Sequence, residues 1–243
     1  MPPLVLLPGL NCSARLWSDL DLGPATTPVL SEPTLDAQVD RLLDELPPRF
    51  ALAGLSLGGI VGMALVRRAP ERVLRLALLS TTARPPTSQQ YAGWTRQRAA
   101  LAAGASARDL QRELKAALLS PESRVSRPDL VQVTLGMADE VGAATLDAQL
   151  RLQSSRVDER PALGRVRCPT LIVSGRQDAL CSPGRHVEIH GLVAGSELVT
   201  LERCGHLSTL EQPAAVQEAL LRWLKFPSES TAGAPTAGSR GAP

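Results

Sequence analysis

The chain has 243 residues, a net charge of +2 and an aromatic content of 2%. This length allows one large α/β domain or two small ones. The near-neutral charge and the scarcity of aromatic side chains argue against binding of nucleic acid or of an anionic membrane surface, and no apolar run approaches the ~18 residues of a membrane-spanning helix.

The first part of the chain alternates between strand and helix patterns. Short apolar runs bounded by glycine or proline are typical of buried strands, and apolar residues three and four positions apart are typical of helices. These patterns predict strands at 4–7, 50–55 and 73–79, a weaker strand at 27–30, and helices at 34–46 and 57–69. The alternation predicts right-handed βαβ units and a parallel sheet.

Residues 83–160 carry helical patterns without strands between them. Ser106 and Asp109 form a capping-box pattern at the start of one helix. Pro121 is expected to end that helix, and the next helix is expected to begin near Asp129. We interpret this stretch as a helical cap inserted between strands of the sheet.

The sheet pattern resumes after the cap. Buried strands are predicted at 170–174 and 197–201, and an amphipathic helix is predicted at 213–224. Residues 227–243 are mostly Ser, Thr, Gly, Ala and Pro, which cannot bury enough apolar surface to offset their ordering entropy. We expect this tail to be disordered.

The N-terminus and the cysteines indicate the compartment. No basic segment or small-residue cleavage site follows Met1, so a cytoplasmic protein is expected. The chain has four cysteines without C-x-x-C spacing, which predicts neither a disulfide framework nor a structural zinc site.

Gly54-Leu55-Ser56-Leu57-Gly58 fits the pattern G-x-S-x-G and lies between a predicted strand and a predicted helix. A serine on such a strained turn is exposed as a nucleophile, and glycines on both sides let the strand and the helix approach each other. The alternative is an ordinary glycine-rich turn. We predict that Ser56 is the nucleophile.

Serine needs a base, and the base needs a group that fixes its tautomer. His206 follows the predicted strand 197–201, whereas His186 and His190 fall in a helical or surface segment where packed or solvated roles are more common. Asp178 follows the strand at 170–174, at the edge where ligands collect in parallel sheets. We predict His206 as general base and Asp178 as its orienting acid.

An acyl-transfer site also needs donors for the oxyanion. The backbone N–H groups of Leu57, directly after the nucleophile, and of Leu10, in the turn after the first strand, are the predicted donors.

Together these segments resemble the α/β-hydrolase superfamily over about residues 4–225, in particular its small capped branch of esterases, enol-lactonases and menaquinone-pathway enzymes. The matching segments are LLPGLNCSARLW for the oxyanion loop, LAGLSLGGIVGMAL for the nucleophile elbow, CPTLIVSGRQDALCSP for the acid strand and LERCGHLSTLEQPAAV for the histidine loop. One departure is Pro8, which stands where many members have histidine. A second is that the family's usual leading hairpin is not expected.

The resemblance implies a three-layer α/β-hydrolase fold with a mostly parallel sheet of about six strands, lacking the leading hairpin, and an inserted helical cap. Residues 1–82 and 161–226 would form the core and 83–160 the cap. It implies that Ser56 attacks a small-molecule carboxylic ester, lactone or thioester and forms an acyl-enzyme, with no metal or organic cofactor.

The first part of the cap is rich in arginine, and Arg96 and Arg98 are candidates to hold a substrate carboxylate or phosphate. The alternative for both is a solvated outer helix face.

Other functions stay open. Acyl transfer, C–C bond hydrolysis or elimination on an anionic metabolite could use the same three residues, because a fold does not determine a reaction. A non-catalytic hydrolase-fold binding module is a further alternative. The oligomeric state does not follow from the sequence.

Overall fold

The computed structural model describes residues 2–226, so the tail at 227–243 lies outside the described residues. Six strands form one sheet: β1 (Leu4–Leu7), β2 (Ala25–Thr26), β3 (Phe50–Leu55), β4 (Val73–Leu79), β5 (Thr170–Gly175) and β6 (Glu197–Leu201). Their order is β2-β1-β3-β4-β5-β6, and every neighbouring pair is parallel. The predicted parallel sheet of about six strands is confirmed.

The helices of the described chain lie on both faces of the sheet and in one insertion. They are α1 (Leu35–Glu45), α2 (Leu57–Arg68), α3 (Ser88–Ala102), α4 (Ala107–Leu118), α5 (Pro121–Ser126), α6 (Asp129–Ser155), α7 (Arg160–Leu163), α8 (Pro183–Leu192), α9 (Ser208–Glu211) and α10 (Pro213–Lys225). A short 3-10 turn at Ala14–Trp17 follows β1.

Two apolar layers enclose the sheet, because successive side chains of a strand point to opposite faces. In β1, Val5 and Leu7 pack with α1, α2 and α8, whereas Leu4 and Leu6 pack with α10 and Trp17. The central strands are buried on both faces, which explains why β3 is a continuous apolar run and β4 is one that only Arg75 interrupts.

Helices α3 to α6 lie between β4 and β5 in the chain and form the inserted cap. Ser106 and Asp109 make the expected capping box at the start of α4. Gly142, at φ 73°, interrupts α6 and divides it into two helical segments. Leu110 of α4 and Leu146 and Leu150 of α6 share a small apolar core of the cap. The division at residues 83 and 160 stays a prediction.

Three predictions about single elements were wrong. The strand predicted at 27–30 lies instead at Ala25–Thr26, and Pro28 has no N–H to donate to a neighbouring strand. Pro121 does not end α4, which ends at Leu118; it is the first residue of α5, a position that proline favours because its missing N–H is not needed there. The strand at 197–201 was predicted to be buried, but β6 is an edge strand whose residues are half-buried except at Leu201.

No helix within residues 2–226 is both long and apolar enough to cross a membrane.

Candidate active site

Ser56 lies on the sharp turn between β3 and α2. Its φ of 54° and ψ of −110° are a strained backbone conformation for a residue with a side chain. The Ser56 N–H donates to the Leu79 carbonyl oxygen (2.9 Å), and the Thr81 hydroxyl donates to the Ser56 carbonyl oxygen (2.8 Å). Strand β4 and the residue pair after it therefore hold the strained turn.

Glycine at positions 54 and 58 is required by the close approach of three backbone segments. A Cβ atom at Gly54 would lie 2.3 Å from the Gly58 carbonyl oxygen, and one at Gly58 would lie 2.1 Å from the Leu7 carbonyl oxygen. Neither position can hold a side chain without separating β1, β3 and α2. The two glycines thus place Ser56 at the carboxyl end of the central strands.

His206 and Asp178 form a buried pair beside this turn. The His206 Nδ1 atom lies 2.9 Å from Oδ2 and 3.0 Å from Oδ1 of Asp178, and the two residues are 3% and 4% exposed. An ionised carboxylate only accepts hydrogen bonds, so Nδ1 carries the ring proton and Nε2 is left to accept one. The Leu180 and Cys181 N–H groups donate to Asp178 Oδ1 at 2.8 Å each and fix the carboxylate.

The loops that carry Asp178 and His206 are packed backbone to backbone. A Cβ atom at Gly175 would lie 2.1 Å from the Gly205 carbonyl oxygen, and the Gln177 N–H donates to the Cys204 carbonyl oxygen at 2.8 Å. The spacing of acid and histidine therefore depends on the pairing of β5 with β6.

The histidine loop is also tied to the cap. The N–H groups of His206 and Leu207 both donate to the carbonyl oxygen of Leu118, the last residue of α4. The Glu211 carboxylate accepts one hydrogen bond from the Gly205 N–H and one from the Ser120 N–H, each at 2.9 Å.

Of the two residues predicted to supply oxyanion donors, Leu57 follows Ser56 in the chain and Leu10 lines the same cavity as Ser56. Leu57 is the first residue of α2, so its N–H has no acceptor within the helix. Leu10 lies in the turn after β1, where Asn11 adopts a φ of 56°, and the Leu10 N–H has no acceptor among the hydrogen bonds of residues 2–226. The Asn11 N–H donates to Gln149 Oε1 of α6 at 2.8 Å, so the cap holds this turn.

Ser56, His206 and Leu10 line one cavity of about 160 Å³ beneath the cap. No hydrogen bond joins the Ser56 and His206 side chains in the described part of the chain; such bonds often tighten only when a substrate is bound. The cap side of the cavity is formed by Trp94, Gln90 and Gln97 of α3, Gln111 and Leu114 of α4, and Gln153 and Arg156 at the end of α6. The walls are thus apolar in part and otherwise rich in amide groups.

A groove on the outer surface of the cap shares four residues with the cavity. Gln90, Trp94, Gln97 and Leu114 line both, between α3 and α4. The same side chains therefore line the cavity and this part of the cap surface.

Arg96 and Arg98 do not line the cavity. Arg96 is exposed, and Arg98 donates to Asp147 of α6 at 2.8 Å in a separate groove. Asp147 neutralises Arg98 within the cap, a pairing across two helices that the sequence does not show. The arginine of the cavity is Arg156, 6% exposed, which the sequence analysis missed.

The other two histidines have no place in the cavity. His190 is exposed. His186 is fully buried; its Nε2 accepts from the Thr81 N–H at 3.0 Å, so Nδ1 carries the proton and donates to the Ser174 hydroxyl at 3.0 Å. Burial lowers the pKa of His186 to about 4, and the ring is neutral at physiological pH.

Asp178, Cys181 and His206 each offer one donor atom, and these atoms lie within 4.8 Å of one another. Two of the three donors are already hydrogen-bonded to each other. Burial strongly raises the pKa of the Cys181 thiol, so it is protonated at neutral pH, whereas a metal needs the thiolate. This donor set suits a hydrogen-bonded pair better than a metal ion.

Comparison with known proteins identifies relatives of the chain. The family model described as the α/β hydrolase fold matches residues 7–213. A pimeloyl-acyl-carrier protein methyl ester esterase of Aromatoleum aromaticum is 30% identical, over 87% of this chain and 94% of its own length. The 3-oxoadipate enol-lactonase 2 of Acinetobacter baylyi is 27% identical, over 82% and 73%. The structure of a thermophilic esterase from Thermogutta terrifontis superimposes with a TM-score of 0.80 at 23% identity, covering 92% of this chain and 89% of that one.

Proposed function

We propose that this chain, which belongs to the α/β hydrolase fold family, is a serine hydrolase that cleaves a small carboxylic ester or lactone through an acyl-enzyme on Ser56. The observation that carries the proposal is that a serine on a strained turn and the histidine of a buried histidine–aspartate pair line one cavity. Leu10, whose N–H has no acceptor within residues 2–226, lines the same cavity, and the Leu57 N–H follows the serine directly in the chain.

In the proposed reaction His206 Nε2 takes the proton of the Ser56 hydroxyl as the oxygen attacks the carbonyl carbon. The carbonyl oxygen becomes an oxyanion, which the Leu10 and Leu57 N–H groups bind. Asp178 keeps the proton on Nδ1 and stabilises the imidazolium. His206 then gives its proton to the leaving alcohol, and the acyl group stays on Ser56.

A water molecule completes the cycle. His206 takes its proton as the water oxygen attacks the acyl carbon, and the proton then returns to the Ser56 oxygen as the acid leaves. In a lactone, the alcohol and the acyl group belong to one molecule, so the same steps open the ring. The relative from Aromatoleum aromaticum is named as a methyl ester esterase and that from Acinetobacter baylyi as an enol-lactonase, which supports both an ester and a lactone as substrate types.

The size of the cavity favours small substrates. At about 160 Å³ it is close to a ~150 Å³ apolar cavity that accommodates benzene. The enclosed part of the substrate is therefore a group of about six non-hydrogen atoms.

Labelling with a fluorophosphonate probe tests the nucleophile. Wild-type protein and Ser88→Ala, which changes an exposed serine of α3, should be labelled, and Ser56→Ala should not. Hydrolysis of p-nitrophenyl esters from acetate to octanoate should then decline beyond about six acyl carbons, the length that the cavity admits. A folded wild-type protein that is not labelled would instead support a binding module, and labelling that survives Ser56→Ala would refute the assignment of the nucleophile.

A further inference from the structure

Arg156 is a buried cation in the wall of the cavity that holds Ser56 and His206. It follows the last residue of α6, where the cap returns to the core, and it is 6% exposed. A buried arginine is normally paired with a carboxylate or an anionic ligand, because an uncompensated buried charge is costly.

The contacts of Arg156 within the described residues are all neutral. Its Nη1 donates to Gln153 Oε1 at 2.9 Å and its Nη2 to Gln90 Oε1 at 2.8 Å, and the guanidinium carbon lies 5.2 Å from the centroid of the Trp94 ring. No ion pair of residues 2–226 includes Arg156. By contrast, Arg151, five positions earlier in the same helix, is paired with Asp147.

These contacts leave hydrogen-bond donors unused. A guanidinium has five N–H donors, and the two amide oxygens take two of them, so three remain. The Nε atom is one of these, a buried donor without a partner. Gln111 lines the same cavity; its Oε1 accepts a hydrogen bond from Asn11 Nδ2, and its buried Nε2 has no partner within residues 2–226.

The charge of Arg156 persists at neutral pH. Burial lowers the pKa of this guanidinium, but arginine starts so far above neutrality that it stays protonated in proteins. The cavity therefore contains a fixed positive charge and unpaired donors, and none of the described residues that line it is a carboxylate.

We propose that Arg156 binds a second, free carboxylate of the substrate, so that the substrate class is a short ester or lactone with a carboxylate at its far end. The inference rests on the proposed ester hydrolysis and specifies its substrate. Planar guanidinium and carboxylate groups form paired hydrogen bonds, which gives orientation as well as affinity. The carboxylate would place the ester carbonyl at Ser56 by anchoring the opposite end of the acyl group.

Two pairs of matched substrates test this proposal. Monomethyl succinate and monomethyl glutarate carry the free carboxylate. Methyl levulinate and methyl 5-oxohexanoate have the same shapes, but a methyl ketone replaces the carboxylate and removes the charge. Methanol release, followed by proton NMR, gives kcat and KM for each. The wild-type protein should prefer the anionic ester of each pair by at least about tenfold in kcat/KM, the effect of losing one charged hydrogen bond.

Arg156→Met keeps an unbranched, flexible side chain and removes the guanidinium with its charge. For the anionic esters kcat/KM should fall about 100-fold, mainly through KM, while for the ketone esters it should change less than about threefold. Arg156→Lys should restore part of the preference, and Arg151→Met, which removes an arginine of the same helix outside the cavity, should leave both substrates unaffected. Succinate should inhibit hydrolysis of methyl levulinate by wild-type protein and not by Arg156→Met.

The outcomes separate this inference from the proposed function. Hydrolysis of both esters of a pair at equal rates, or an equal loss on both in Arg156→Met, would overturn the carboxylate site and leave the esterase standing. Failure of the wild-type protein to hydrolyse any of these esters or the p-nitrophenyl esters would overturn the proposed function and the substrate class with it. Fluorophosphonate labelling of Arg156→Met at the wild-type rate verifies that Ser56 and its surroundings are still folded.

Discussion

Asp178→Asn isolates the part of the proposed mechanism that depends on the orientation of His206. The asparagine oxygen can still accept the N–H groups of Leu180 and Cys181, so the loop after β5 should keep its shape. The amide nitrogen then replaces Oδ2, the carboxylate oxygen nearer to His206 Nδ1 at 2.9 Å; Oδ1, at 3.0 Å, already accepts the two backbone N–H groups. Two N–H donors cannot face each other, so the ring proton moves to Nε2.

An imidazole with its proton on Nε2 cannot accept the proton of Ser56. We expect kcat to fall about 10⁴-fold, or roughly 5.5 kcal/mol in the activation barrier. The assay is steady-state hydrolysis of p-nitrophenyl acetate together with the rate of fluorophosphonate labelling, and circular dichroism checks the fold. Asp158→Asn changes a half-exposed aspartate paired with Arg160 and should leave kcat unchanged. A folded Asp178→Asn protein with kcat within tenfold of wild type would refute the assigned role of Asp178.

Two further predictions concern stability. Gly58→Ala forces a Cβ atom to 2.1 Å from the Leu7 carbonyl oxygen and should lower the free energy of unfolding in urea by about 3 kcal/mol. At Gly62 a Cβ would meet only the side chains of Leu52, at 3.2 Å, and Leu76, at 3.6 Å, so Gly62→Ala should change the free energy of unfolding by less than about 1 kcal/mol. Equal losses in the two variants would contradict the packing argument. Burial holds the pKa of His186 at about 4 in the folded protein, below its ordinary value of 6.5. As the pH falls, the unfolded chain therefore binds this proton first. The free energy of unfolding should decrease between pH 6.5 and pH 4, by roughly 3 kcal/mol in all. His186→Gln should flatten that part of the curve of unfolding free energy against pH, and an unchanged curve would show that another group titrates.

The strands were predictable where both faces of the sheet are covered. Strands β3 and β4 begin and end where their apolar runs do, because helices bury both faces of these strands. Strand β2 has two residues, both exposed, and its existence depends on pairing with Leu4 and Val5. A two-residue edge strand leaves no apolar pattern, so local sequence could not locate it.

The same distinction holds for the candidate site. Ser56, Asp178 and His206 lie one, three and five residues after the ends of β3, β5 and β6. A parallel sheet brings the carboxyl ends of its strands to one edge, so short loops there place these residues close together. Arg156 follows no strand and no motif. It lies at the end of α6 and contacts Gln90 of another helix, a tertiary contact that has no local sequence signal.

Hydrogen bonds join the cap to the two loops that the proposed chemistry uses. Gln149 of α6 holds the turn of Leu10, and the end of α4 holds the backbone of His206. A movement of either helix would therefore displace a proposed oxyanion donor or the proposed base and would also reshape the cavity wall. A replacement of Arg156 changes the proposed carboxylate site alone only if the new side chain keeps the end of α6 in place, because the same helices line the cavity and hold the two loops.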